Sequence, residues 1–230
     1  MQITVLIPTL NEARAIGCTL ERLQQLEPPI DVLVVDGFSS DHTGEIAQSY
    51  GAQVVFGPGG RGASLKSAAS RARGDALWFL HADTLAPLDG AAKIIEALKD
   101  PTVVGGNFAI KFDGEGRGAR FLTWLYPHLR YVGLVYGDSG IFVRRESYDR
   151  VGGLRPYPIF EDVDLIRRLR CVGRFVRVSS CVVTSSRRFE DRNFGLVFAR
   201  WLFLNVGYWL GINPTTLGRW YPSERPARNS

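Results

Sequence analysis

Methionine is almost missing from this chain of 230 residues, which has one, and histidine and cysteine are scarce at three each. Cys18, Cys171 and Cys181 are odd in number, far apart and without paired spacing. That excludes a disulfide framework and a cysteine-based zinc site, and leaves reduced core thiols as the expectation. No internal repeat or low-complexity linker occurs, so nothing forces a domain boundary and one domain is expected. The opening MQITVLIPTLNE lacks a basic region and meets a proline and polar residues before an export-length apolar run can form. It reads as a first strand in a cytoplasmic protein. An excess of one charge is absent too: 28 Lys and Arg against 23 Asp and Glu leave +5. The arginines are scattered and accompany no nucleic-acid module, so no nucleic-acid partner is expected. A hydrophobic fraction of 45% fits neither disorder nor a many-pass membrane protein.

What is present is an alternation. Apolar β-type runs (ITVLIP, DVLVVD, AQVVF, ALWFL) are separated by helical-period segments near 13–26, 42–50 and 62–73. Such βαβ units imply an α/β fold with a mostly parallel sheet flanked by helices, and ligands then bind beyond the carboxyl ends of the strands. Those ends carry Asn11 and Glu12, then Asp36 to Asp41, then His81-Ala82-Asp83. The second half is less regular. VVGGNFAIKF (103–112) reads as a strand, 116–134 as a helix broken near Pro127, 137–154 as a strand and short helix, and 160–179 as a segment that opens with acids and ends its helical period near Gly173. The last dozen residues read as a frayed tail.

Each motif has a structural and a chemical reading. Asn11 and Glu12 can cap a helix, as can Ser40 or Asp41, while Asp36 can accept hydrogen bonds from a base or ribose. The segment GPGGRGASLK places glycines, Arg61 and Lys66 ahead of a helix, where amides and cations can meet phosphate. It is neither a P-loop nor a dinucleotide fingerprint. Asp83 can hold Mg2+ or Mn2+ bearing a diphosphate, with His81 better suited to Mn2+, or the pair can simply close a turn. Glu161, Asp162 and Asp164 satisfy a helix dipole, and a carboxylate there can also serve as a general base.

The long aromatic stretch FGLVFARWLFLNVGYWLGI (194–212) carries Arg200 and Asn205, which are costly in a bilayer core. A core or dimer-interface helix and a helix lying in the membrane interface both suit it better than a span.

In order, VLIPTLNE, VLVVDGFSSDHT, GRGASLKSAASRARGDALWFLHADT, GDSGIFVRRESYDRVGGL and FEDVDL resemble glycosyltransferase family 2, the inverting GT-A enzymes, over roughly residues 2 to 185. The chain also resembles a small subgroup with HAD as the metal motif. The resemblance implies a single GT-A domain over 1–212, with a Rossmann-like nucleotide half (1–100), an acceptor half (101–190), a hydrophobic C-terminal helix (191–212) and a tail (213–230). It implies that Pro8, Leu10 and Glu12 line the nucleotide, that Asp36 reads the base, that Arg61 lies along the diphosphate, and that Asp138 lines the donor sugar. It gives Asp83 to a divalent cation, Mn2+ or Mg2+, with His81 in place of the usual first acid, and Asp162 to the catalytic base. The implied donor is a nucleoside-diphosphate sugar, UDP-sugar favoured. The implied acceptor is a hydroxyl, with a lipid-linked one suggested by 194–212, which would make a peripheral membrane contact or a homodimer. The replaced acid and the Asp36-Gly37 pair keep a nucleotide-sugar-binding protein without catalysis as the alternative. A nucleotidyltransferase fits less well, because TLNE stands where its glycine-rich loop would be.

Overall fold

The computed structural model describes residues 1–57, 60–131, 133–187 and 194–221. Strands β1 (Ile3–Thr9), β2 (Asp31–Asp36), β3 (Gln53–Phe56) and β4 (Ala76–Phe79) alternate with helices α1 (Ala13–Gln24), α2 (Thr43–Ser49) and α3 (Arg61–Arg71). They pair in parallel in the order β3-β2-β1-β4. The register sets Thr9 beside Asp36 and Asp36 beside Phe56, so the strand ends that carry polar groups finish level along one edge.

Then follow β5 (Thr84–Leu85), α4 (Gly90–Leu98), β6 (Val103–Phe112), α5 (Arg117–Tyr131), a 3₁₀ turn (Gly137–Ser139), β7 (Phe142–Arg144), α6 (Arg145–Arg150), α7 (Glu161–Arg170), β8 (Arg174–Thr184), α8 (Phe194–Trp209) and α9 (Pro214–Gly218). The sheet continues β4-β7-β6-β8-β5, with β7 antiparallel to both neighbours and β8 parallel to β6. The parallel expectation thus holds for the first half, and the second half is mixed.

Alternate side chains of the strands feed opposite faces of the sheet. Ile3, Val5 and Ile7 of β1 join Trp78, Phe108, Phe142 and the Ile16, Leu20, Leu23 stripe of α1 on one face. Leu6, Leu77, Phe79 and Val143 join Leu65, Leu165 and Leu169 on the other. The indole Nε1 of Trp78 donates to the Gly140 carbonyl at 3.1 Å, tying β4 to the turn that builds the site. Gly140 has φ 59°, and a Cβ there would crowd that indole and Val182.

Several expectations need correction. Helix α5 runs through Pro127, which is exposed, so the carbonyl it leaves unpaired can meet water. Cys18 and Cys171 are exposed and Cys181 is half-buried, so they are not core thiols. Cys18 lies off the apolar stripe of α1. The tail begins with α9, where Asn213 caps Thr215 N at 2.8 Å and Pro214 and Leu217 are buried. Residues 222–230 of the expected tail lie outside the described residues, as do 191–193 of the hydrophobic segment. Among the described residues no helix is long and apolar enough to cross a membrane.

Candidate active site

The loops after β1 and β2 are stitched together around Asp36. Its carboxylate is buried and accepts from Thr9 Oγ1 (3.1 Å), Ser39 Oγ (2.5 Å) and Ser39 N (3.2 Å). Asn11, at φ 55°, accepts from Ser40 N at 2.8 Å. Neither Asn11 nor Glu12 caps α1. That role falls to Asp41, which accepts from Ala13 N (3.2 Å) as well as from Thr43 N (3.1 Å). Pro8 is half-buried and Leu10 exposed on this rim. Phe38 and Phe56 lie exposed beside Asp36 with rings 5.7 Å apart and 17° from parallel, a flat apolar surface next to hydrogen-bonding groups. The sequence reading passed over both. Lys66 is on the exposed side of α3.

At the end of β4 two predicted residues meet one that was missed. The Arg187 guanidinium donates to Asp83 Oδ2 at 3.0 Å and also pairs with Glu12. Burial works against the Arg187 charge, but the hydrogen bond and charge of Glu12, then Asp83, hold its pKa above the ordinary arginine value. Two carboxylates from separate strand ends therefore converge on one positive charge.

The remaining predicted residues gather around the 3₁₀ turn. His81 Nδ1 lies 3.3 Å from Asp138 Oδ1, and Asp162 Oδ2 accepts from Gly137 N. Arg61 pairs with Glu161 at 3.0 Å and stands 3.9 Å from Asp162. A Cβ on Gly137 would overlap the Arg61 guanidinium and lie 2.9 Å from Asp162 Oδ2, so glycine is what lets the three groups meet. Burial opposes the charge on Arg61 too, yet Glu161, Asp162 and Asp138 together raise its pKa.

Adjacent acids are thus given different environments. Glu161 is sealed, and burial, only partly offset by Arg61, pushes its pKa from 4.5 up to about 7. Asp162 keeps 14% of its side chain exposed and has Val163 N on its other oxygen at 2.8 Å. The residue before them, Phe160, is held at φ 61°, a costly conformation for a side chain of its size. Its ring stacks on Tyr208 of α8 at 4.7 Å. Tyr136, just before the turn, donates to Asn205 of α8 at 2.8 Å, and burial followed by the nearby Asp162 charge raises its pKa. The polar groups therefore form separate sets: Glu12 and Asp83 on Arg187, His81 with Asp138, and Glu161 and Asp162 about Arg61, the first two joined through the loop that carries His81 and Asp83.

The sequence model of glycosyl transferase family 2 matches residues 4–150. A beta-monoglucosyldiacylglycerol synthase of Synechocystis sp. is 28% identical over 191 residues, covering 73% of this chain and 40% of that protein. Among solved structures, a mannosyltransferase from Pyrobaculum calidifontis in complex with GDP-Man and Mn2+ superposes with TM-score 0.65 at 21% identity, over 79% of this chain and 56% of that one. Glucosyl-3-phosphoglycerate synthase from Mycobacterium tuberculosis, in complex with Mn2+, UDP and glucosyl-3-phosphoglycerate, gives TM-score 0.64 at 20% identity, over 92% and 81%. The mixed α/β architecture is thereby the GT-A fold.

Proposed function

The chain belongs to glycosyl transferase family 2, and from that premise we propose that it moves a sugar from a nucleoside-diphosphate sugar to an acceptor hydroxyl with inversion. The observation that carries this reading is a pair of clusters met at the loop after β4: Asp83 and Glu12 on Arg187, and, starting from His81 two residues earlier, Asp138, Asp162 and Arg61 around the 3₁₀ turn. Asp36, Phe38 and Phe56 receive the base, and uracil, with an imide N–H and a flat face, suits them. Pro8, Leu10 and Glu12 line the nucleotide. Arg61 and Arg187 bring positive charge toward the diphosphate, and Asp138 lies toward the sugar.

The acceptor oxygen attacks the anomeric carbon from the face opposite the diphosphate. The bond from that carbon to the diphosphate oxygen breaks, its electron pair leaves with the nucleotide, and the acceptor proton passes to Asp162. No covalent enzyme intermediate forms.

Asp83 and Glu12 fit a divalent cation because two hard carboxylate donors already share a single positive charge, and Mg2+ or Mn2+ commonly needs only one or two protein carboxylates besides substrate phosphates. Bound there, the ion supplies charge neutralisation to the departing diphosphate. The name of the Synechocystis relative supports a lipid hydroxyl as acceptor.

A thermal-shift series tests the donor site. UDP or GDP with Mn2+ at about 100 times the dissociation constant stabilises by about 2.7 kcal/mol, roughly 5–10 °C in Tm for a chain of this size. Asp83→Ala is expected to remove the Mn2+-dependent part and His81→Ala to spare it. Absence of any nucleotide response would sink the reading, and loss in His81→Ala as well would make the imidazole a ligand.

A further inference from the structure

Helix α8 is apolar nearly all round and leaves much of that apolar surface exposed. Leu202, Phe203, Val206, Trp209 and Leu210 recur at spacings of three and four and form one exposed stripe, with Phe203 at 58% and Leu210 at 77%. The polar Asn205 instead faces inward, held by Tyr136. A second exposed stripe, on α5, is formed by Phe121, Trp124 and Tyr131, and Phe121 ties α5 to α8 by packing edge-on against Phe194 and Phe198 at 5.9 and 5.6 Å. Trp220, beyond α9, lies against Phe203 at 5.7 Å.

Charge says what covers this face. Residues 117–135 and 194–221 contain no Asp or Glu, whereas Arg117, Arg120, Arg200 and Arg219 are all exposed there. A second copy docked on the same face would bring like charges together. An anionic lipid surface answers both features, taking the apolar side chains into its acyl boundary, Trp and Tyr at headgroup depth and arginines against phosphates. We infer that α5, α8 and α9 form a docking face for an anionic lipid surface, on which the chain rests without crossing.

The helix that carries this face packs its opposite, inward side on the site. Trp201 packs on Tyr136 at 5.4 Å and Tyr208 on Phe160, the residues flanking Gly137 and Glu161. A hydroxyl carried by a bilayer lipid would reach Asp162 past this helix, a step that rests on the reading of the site given above.

Co-sedimentation of the full chain with phosphatidylcholine vesicles, plain or one-quarter phosphatidylglycerol, tests the docking. The parent chain is expected to pellet with the anionic vesicles and to partition at least tenfold less onto the neutral ones. Phe203→Glu/Val206→Glu/Leu210→Glu should lower anionic binding at least tenfold while keeping the nucleotide-induced thermal shift, which also shows that it folds. Arg117→Gln/Arg120→Gln should weaken binding and flatten its salt dependence. Asp83→Ala should still pellet after losing the Mn2+-dependent part of its nucleotide response, so failure of the donor site and failure of the docking face are told apart. Parental binding by the triple variant overturns the inference. So does a parent chain that stays in the supernatant, whether as a monomer or as a dimer that the triple variant dissociates.

Discussion

Asp162→Asn is expected to slow sugar transfer by a factor of ~10²–10⁴, the range over which a positioned general base contributes, while nucleotides still raise Tm as in the parent. The amide keeps the size of the carboxylate and can accept from Gly137 N through its remaining oxygen, so the turn beside Arg61 stays built. What it lacks is an oxygen that takes a proton. Glu161 is no substitute, because it is sealed at 2% exposure and its carboxylate faces Arg61. Nucleoside diphosphate release together with a thermal shift on the same sample separates the two effects. Near-normal turnover would reduce Asp162 to an acid satisfying the α7 dipole.

Arg61→Met is expected to cost stability, and more at high pH than at low. Removing one partner of a buried ion pair is destabilising because the other charge is left without compensation. Here about 2–3 kcal/mol is expected, less than a fully sealed pair would lose, because 35% of the Arg61 side chain is exposed. The pH dependence follows from Glu161. A carboxyl whose folded pKa is about 7 against an ordinary 4.5 binds more protons in the native state, so its contribution is complete below 4.5 and is lost as pH climbs through about 7. Without the Arg61 charge that window moves upward. Denaturant unfolding at about pH 5 and pH 8 should therefore show a smaller loss at the acid end, where Glu161 can take its proton. Glu161→Gln should remove the slope, and Arg61→Met/Glu161→Met should recover most of the stability, since an apolar replacement of both partners leaves no orphaned charge. An equal loss at both pH values would mean that Glu161 titrates elsewhere.

Local periodicity made much of this architecture legible. DVLVVD and VVGGNFAIKF are β2 and β6 to the residue, because apolar β-type runs bounded by polar residues have few other uses. The insertion of β7 between β4 and β6 carries no local signal, being a pairing across distant sequence. Asp138 and Asp162 are gathered at the 3₁₀ turn and Asp83 meets Glu12 on Arg187, but Arg187 escaped notice because its partners lie 104 and 175 positions away. Glu161 and Asp162 are equivalent acids in sequence, and only burial assigns one to Arg61 and leaves the other reachable. Helix α8 is apolar nearly all round, so its period could not say which side faces the protein, and the inward Asn205 decides it.

The most direct measurement of the central claim is proton NMR of the anomeric centre during incubation with Mn2+, lipid vesicles and a panel of α-linked nucleoside-diphosphate sugars, UDP-sugars first. The expected result is a β-linked product and free nucleoside diphosphate in equal amounts, both formed ~10²–10⁴ times more slowly with Asp162→Asn. Retention of the α configuration would contradict the mechanism. No sugar release from any donor, with nucleotides still raising Tm, would identify a binding protein instead.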